Sequence, residues 1–387
     1  MIPLSAPTIT GNETKHLGET IKKKWISTYG AYKIRFDKSL SKITKSNFVI
    51  SVSSGTAALH LALCVLGVKK RQEVIVPSMT FVASINVIKY LDANPVFMDV
   101  DNNHNLDVKK TISFLENNTY FKNSSTFNKK SKKKISALIL AHMWGNALEF
   151  NELVKICKKK NIKIIEDAAE ALGTYYSSGL NKNKHVGTIG DIGCLSFNGN
   201  KIITTGSGGA LLVKKKSLQK KILYLAEQAK NDPIKYIHNE VGFNYRMPNI
   251  NAAFGCAQLE KLKKFLQKRR QNFLVYRNLI NKIPGLSLLE PMGYSKSNHW
   301  MNVIIIDRKK INKTPLYFHK KLLNKKIETR LVWRPNHLQK MYKSNEKYRI
   351  SLSKKIYDTS LCVPSSSNLK TSEIKKICEI IKQIAIN

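Results

Sequence analysis

Long apolar runs are missing from this sequence. No continuous apolar stretch approaches ~18 residues, so no transmembrane helix is expected. The first residues, MIPLSAPTITGNE, lack the basic-then-apolar layout of a signal peptide, which makes the cytoplasm the expected location. Cysteines are few: Cys64, Cys157, Cys194, Cys256, Cys362 and Cys378 are dispersed and form no CxxC pair. Reduced core residues are therefore expected, with no disulfide framework and no metal site. There is no GxxxxGK[ST] segment, which argues against a Walker-type NTPase, and no internal repeat. Acidic residues are scarce, 26 against 66 Lys and Arg, for a net charge of +40. Such a surplus can mark a polyanion binder. However, arginine is also scarce, 10 residues against 56 lysines, whereas base reading and bidentate phosphate contacts favour arginine. The lysines are spread in short groups, such as 22–24, 129–134, 158–160, 214–216 and 320–326. This pattern points to a solvated basic surface with a general preference for anionic ligands, and to no specific nucleic acid partner.

What is present is the composition of a globular protein, 42% hydrophobic and 24% charged over 387 residues, enough for two domains. From residue 47 short β-branched runs alternate with amphipathic segments, the pattern of a mainly parallel sheet with helical crossovers. Strands are expected at 48–52, 73–77, 95–100, 135–141 and 162–166, with helices at 56–66, 81–90 and 151–160. Strands at 193–197 and 209–213 lie too close together for a helical crossover and should pair antiparallel. Residues 117–134 (NNTYFKNSSTFNKKSKKK) are polar and basic and are expected to form a mobile surface loop. A long amphipathic helix follows at 250–276, then strands and helices of mixed order, including a strand at 301–306 and helices at 314–325 and 372–386. The expected division is a large cofactor-binding domain over 1–250 and a small C-terminal domain over 251–387, joined by the long helix.

Three segments carry chemistry. Ser53-Ser54-Gly55-Thr56 lies between a strand and a helix start, where free N–H groups and the helix dipole favour an anion. It reads as an ordinary N-cap with a glycine turn or, functionally, as a phosphate cup, and by itself the plainer reading is favoured. Asp167 closes a strand, the edge at which ligands gather in open α/β sheets. Its carboxylate could pair a pyridinium, bind a ribose or a metal, or cap a following helix. Lys201 follows a Ser-Phe-Asn-Gly turn and precedes Gly206, Gly208 and Gly209, flexible backbone that lets a ligand approach closely. An acid at a strand end with a lysine on a nearby tight loop is what a pyridoxal phosphate enzyme requires. Gly187-Thr-Ile-Gly-Asp-Ile-Gly193 has the look of a nucleotide fingerprint, but no strand and helix flank it correctly, and it is set aside.

Together these segments resemble the DegT/DnrJ/EryC1/StrS sugar aminotransferases. The likeness runs nearly end to end, through SSGTAALHLAL, EVIVPSMTFVAS, PVFMDVD, IIEDAAEALG, GDIGCLSFNGNKIITTGSGG, HNEVGFNYRMPNINAAFGCAQLE and ETRLVWRPNHLQ. It implies the aspartate-aminotransferase fold (fold type I), an α/β large domain plus a smaller α/β domain, with pyridoxal 5′-phosphate as cofactor. By the same resemblance Lys201 matches the Schiff-base lysine and Asp167 the acid paired with the pyridine nitrogen. Gly55 and Thr56 match the phosphate turn, Ser196 a phosphate-contacting hydroxyl, and Phe81 an aromatic side chain over the cofactor ring. Glu170 stands where relatives often carry His or Gln. Asn244 matches an asparagine that reaches the neighbouring subunit's cofactor, implying a homodimer with shared sites. His238, Arg330 and His337 are candidate substrate contacts. The resemblance further implies transfer of an amino group from L-glutamate to the C4 ketone of a nucleotide-linked 4-keto-6-deoxy sugar, as in legionaminic acid and bacillosamine-type pathways. That sugar would be UDP- or GDP-linked and N-acetylated at C2, serving surface polysaccharide or nonulosonic acid synthesis. Two alternatives are a dehydratase of the same family and a non-catalytic polyanion binder. The family's dehydratases replace the Schiff-base lysine with histidine, so Lys201 argues against the first.

Overall fold

The computed structural model describes residues 1–386. Its main sheet runs in the order Phe48–Val52, Gly209–Val213, Ile192–Ser196, Lys163–Asp167, Lys134–Ala141, Glu73–Pro77, Asn94–Met98 and Lys347–Tyr348. All of these strands are parallel except Gly209–Val213, which pairs antiparallel with both of its neighbours, as expected for its partner Ile192–Ser196. Helices cover both faces, so successive strand residues are buried in opposite directions. Ile139 and Ile165 pack with the helix Gly55–Val65, while Leu138 and Ile164 pack with Phe114 and Leu153 from the helices Val108–Asn117 and Asn151–Lys159. That two-sided burial is why the strands read as continuous apolar runs and not as alternating ones.

The expectation for residues 117–134 is overturned. Thr119–Lys122 and Ser125–Asn128 form an antiparallel hairpin, and its second strand adds to the start of Lys134–Ala141. The turn residues Asn123 and Ser124 both have positive φ, 48° and 54°, the conformation that matches strand twist in a two-residue hairpin loop. Polarity concealed the hairpin because its inward residues are themselves polar and hydrogen-bonded. Thr126 Oγ1 donates to the Lys160 carbonyl at 2.6 Å, and Asn128 Nδ2 bridges Glu73 (2.9 Å) and Glu346 (2.8 Å). The helix expected from Phe81 begins only at Ala83, and the long helix extends to Asn249–Ile280.

A second, antiparallel sheet holds Leu286–Leu288, Asn302–Ile306, Ser360–Val363 and Arg330–Leu331 in that order, packed on the helices Pro315–Asn324 and Thr371–Ile386. We propose the domain division at the first turn of the long helix; Ser295–Lys296 crosses it to pair with Tyr175–Tyr176, and other segments cross it as well. Ile2 bridges to Ile327 in the small domain, and Lys347–Tyr348 joins the edge of the large sheet.

Asp99, at the end of the strand Asn94–Met98, fastens the Lys347–Tyr348 crossing. Its fully buried carboxylate accepts the N–H groups of Ser351 (2.8 Å), Leu352 (3.0 Å) and Ser353 (3.0 Å), at the start of the helix Leu352–Thr359, and Lys110 Nζ at 2.7 Å. Burial pushes this carboxyl up, but Lys110 and the three N–H donors outweigh it and hold it down at about 2. A carboxylate depressed in the folded state contributes stability above its unfolded value, and that contribution disappears as pH falls through about 2. Asp99→Asn should therefore cost about 2 kcal/mol at neutral pH. In denaturant titrations the gap from the parent protein should narrow steadily below about pH 4, and a gap independent of pH would refute this account.

Candidate active site

Five parallel strands, Phe48–Val52, Glu73–Pro77, Lys134–Ala141, Lys163–Asp167 and Ile192–Ser196, end at one edge of the sheet, and the reversed strand Gly209–Val213 begins there. A cavity of about 430 Å³ opens at this edge. Ligands of open α/β sheets bind at such an edge. Of the residues expected at a site, Gly55, Thr56, Phe81, Asp167, Glu170, Ser196, Lys201 and Arg330 all line it.

On one side of the cavity, Ser54 caps the helix Gly55–Val65 by accepting the Ala57 N–H at 3.0 Å. The N-cap reading of this segment thus holds, and it leaves room for the phosphate cup. The serine is an N-cap, and the N–H groups of Gly55 and Thr56 remain without an acceptor within the helix. Glycine is required at two points here by close approach. A Cβ on Gly55 would meet Ser196 Cβ at 2.8 Å, and one on Gly209 would meet the Ser54 carbonyl at 2.4 Å.

On the other side, Asp167 Oδ2 accepts Ser84 Oγ at 2.5 Å and Oδ1 accepts the Ala169 N–H at 3.1 Å. No helix starts after Asp167, so it caps none, and it faces the cavity. The Lys201 amine has no hydrogen-bond partner among the described residues. Its Nζ lies 3.9 Å from Glu170 Oε1 and 3.9 Å from the centre of the Trp300 ring. Burial lowers its pKa below the ordinary lysine value; the carboxylates of Glu170 and Asp167 oppose this, and Arg330 adds to it. Burial likewise raises Glu170, against Lys201 and the Trp144 N–H, which donates to Oε2 at 2.8 Å.

Three candidates fall outside the cavity of this chain. Asn244 is exposed, and His238 is exposed with Nδ1 2.7 Å from the Gln228 carbonyl. His337 is buried, but its Nδ1 pairs with Ser78 Oγ at 2.6 Å, while the neighbouring Asn336 N–H donates to the Ser78 carbonyl at 2.7 Å. His337 does not line the cavity; it fastens the turn Asn336–Leu338 to the sheet edge.

Sequence reasoning misses the tryptophans. The chain has four, and three of them meet here. Trp144 stacks on Trp300 (centroids 6.4 Å apart, planes 11°) and on Trp333 (5.7 Å, 23°), and Trp333 in turn contacts Phe81 at 5.2 Å. Their rarity was the available signal, but nothing local marks residues 144, 300 and 333 as neighbours. Asn200 Oδ1 and Trp333 Nε1 are buried polar atoms without a partner among the described residues, and both residues line the cavity.

Residues 7–382 match the DegT/DnrJ/EryC1/StrS aminotransferase family. The chain belongs to that family. It is 36% identical to a GDP-perosamine synthase of Escherichia coli O157:H7 over 99% of this chain and 98% of that protein. It is 34% identical to a putative pyridoxal phosphate-dependent aminotransferase, EpsN, of Bacillus subtilis, over 98% and 95%. The fold is shared with Helicobacter pylori PseC, an aminotransferase involved in the biosynthesis of pseudoaminic acid (TM-score 0.88, 22% identity, 99% of each chain). The chain is accordingly a pyridoxal phosphate-dependent aminotransferase of fold type I. The cavity fits that cofactor: a helix N-terminus with the hydroxyls of Thr56 and Ser196 suits a phosphate, the Asp167 carboxylate suits a pyridinium, and Asn200 Oδ1 is an acceptor still in need of a donor.

The Gly55 contact gives a direct test of the phosphate side. Gly55→Ala should raise the Kd for pyridoxal phosphate about tenfold or more, because the new methyl must push Ser196 aside. Absorbance titration of the purified variant measures this, and an unchanged Kd would show that the turn does not hold the phosphate.

Proposed function

We propose that the enzyme transfers an amino group from L-glutamate to the C4 ketone of a nucleotide-linked 4-keto-6-deoxy sugar. The observation that carries this reading is the meeting of a buried amine without a hydrogen bond, Lys201, with a carboxylate, Asp167, and a helix N-terminus around one cavity. Similarity to GDP-perosamine synthases supports the sugar substrate, as does 28% identity to a Campylobacter jejuni UDP-4-amino-4,6-dideoxy-N-acetyl-beta-L-altrosamine transaminase over 99% of this chain. Both GDP and UDP carriers occur in those names, and the C2 N-acetyl group in only one. We therefore place GDP-linked sugars first and N-acetylated UDP sugars second.

Bound pyridoxal phosphate supplies an electron sink for the bonds at the donor's α-carbon. In this reading Asp167 keeps the pyridine nitrogen protonated. Lys201 would hold the cofactor covalently and, once released, would carry the proton to and from the α-carbon, a role favoured by the burial that lowers its pKa. Phe81, Glu170 and Arg330 line the same cavity: Phe81 would cover the cofactor ring, Glu170 would lie near it, and Arg330 would offer a cation to the nucleotide's phosphates.

We further infer a homodimer with shared sites. Trp25, Ile26, Tyr29 and Ile34 are exposed near the N-terminus, and so are Ile234, Tyr236 and Val241 in the segment that carries His238 and Asn244. Apolar groups of this size on a surface commonly mark an interface. Two candidates that miss their own cavity then become available to a second chain's cavity.

Glutamate-dependent amination of a panel of 4-keto nucleotide sugars should proceed fastest with a GDP-linked member and fall about 10²–10⁴-fold in Lys201→Ala. Lys201→Ala should also lose the yellow, borohydride-reducible adduct with pyridoxal phosphate. Survival of that adduct at full stoichiometry would reassign the lysine, and no turnover with any sugar of the panel would reassign the substrate. Hybrid dimers pairing a Lys201→Ala chain with an Asn244→Ala chain should regain one native site, since each intact residue then meets its intact counterpart. Hybrids no more active than a mixture of the two homodimers would rule out sharing.

A further inference from the structure

We propose that Trp300 is a positioning residue for Lys201: its indole face receives the lysine amine whenever that amine is not bonded to the cofactor. The inference rests on the assignment of Lys201 above. Trp300 comes from the small domain, 99 positions along the chain from Lys201, yet it is fully buried against it, with Nζ 3.9 Å from the ring centre.

Each polar group of Trp300 is fixed by a different segment. Its N–H donates to Asn298 Oδ1 (2.9 Å), its carbonyl accepts Arg269 Nη1 (2.8 Å), and its indole N–H donates to the carbonyl of Asn200 (2.7 Å), the residue preceding Lys201. Arg269 is itself buried on the long helix and forms no ion pair among the described residues; its guanidinium serves the Trp300 carbonyl, with Ser5 Oγ at 3.4 Å. Asn298 Nδ2 donates to the carbonyls of Glu170 and Leu172, which ties the tryptophan to the loop after Asp167. The residue is therefore fixed at its backbone N–H, its carbonyl and its indole N–H, and the lysine amine rests over the ring.

The chemistry favours a ring over a carboxylate at this place. A carboxylate at hydrogen-bond distance would trap the amine as an ammonium, whereas an aromatic face attracts the charged form only modestly and tolerates the neutral one. A group that must give and take a proton needs both forms within reach. Glu170 lies 3.9 Å from Nζ, beyond a hydrogen bond, and Asp167 and Arg330 are the other charged side chains facing the amine.

The test uses the full chain loaded with pyridoxamine 5′-phosphate, in which Lys201 is unbonded. Competitive acylation of Lys201 against pH is read by peptide mass spectrometry. Trp300→Leu keeps the site apolar but removes the ring, so the labelling midpoint should fall by about one pH unit. Turnover should fall about three- to thirty-fold with KM for both substrates little changed. Trp300→Phe should restore both readings towards the parent protein. Trp300→Met makes the same comparison should the leucine variant fold poorly. Borohydride trapping of pyridoxal phosphate should persist in every variant, which separates failure of this inference from failure of the Lys201 assignment. Leucine and phenylalanine variants that titrate and turn over alike would overturn the proposal.

Discussion

The site is built on the end of one strand, where two consecutive acids face opposite sides of the sheet. Alternation along a strand makes this unavoidable: if Asp167 faces the cavity, Glu166 must face the interior. Glu166 is fully buried, and four donors meet it: His142 Nε2 at 2.9 Å and the N–H groups of Gly187, Ile189 and Gly190 at 2.8, 2.6 and 2.6 Å. Burial would push its pKa up, but His142 and the loop N–H groups hold it below the ordinary carboxylate value. His142 in turn accepts the Leu148 N–H on Nδ1 at 3.1 Å, so its Nε2 carries the proton given to Glu166. A buried, fully bonded carboxylate is costly to displace. Its neighbour in sequence inherits that rigidity, and the floor of the cavity is fixed before any ligand arrives.

A second constraint is the reversed strand. Had Gly209–Val213 run parallel to its neighbours, its glycine-rich start would lie at the opposite edge of the sheet, away from Asp167. Running antiparallel, it brings Gly208 to the same edge as Ser54 and Ser196 and returns the chain through the Lys201 turn. The small domain then closes the remaining side through Trp300, Arg330 and Trp333. Asp99 at the Ser351–Ser353 backbone and Ser78 at Asn336–His337 keep that domain against the sheet edge. The wall opposite Asp167 is thus set by the docking of one domain on the other.

These layers differ in how far the sequence reveals them. The alternation of strands and helices is plain because two-sided burial writes itself as apolar runs. Asp167 and Lys201 stand out because a strand end and a glycine-flanked turn are local features. The hairpin Thr119–Asn128 stays hidden because its inward residues are Thr and Asn, whose burial is compensated by hydrogen bonds and not by apolarity. The segment Gly187–Gly193 reads as a failed nucleotide loop, yet it is an anion cradle for a side chain of the same protein. A Cβ on Gly193 would come within 2.0 Å of the Gly187 carbonyl, so the glycines serve a tight fold around Glu166. Trp144, Trp300 and Trp333 could not be joined from the sequence, because their meeting exists only once the two domains dock.

The large positive charge does not explain the site by itself. Among the side chains lining the cavity, the cations Lys201 and Arg330 are set against the acids Asp167 and Glu170, a local balance. The surplus lies elsewhere on the surface, where salt screens each charge beyond about 8 Å at physiological ionic strength. Such a surface speeds the encounter with any anion but cannot choose among them. Selection of a nucleotide diphosphate has to come from cations and hydrogen-bond donors at the cavity itself, and within one chain Arg330 is the only cation lining it besides Lys201 among the described residues. A phosphate pair left with one partner would remain under-compensated in a partly buried site. In the proposed homodimer, the exposed segment carrying His238 and Asn244 is where a second copy would bring further donors.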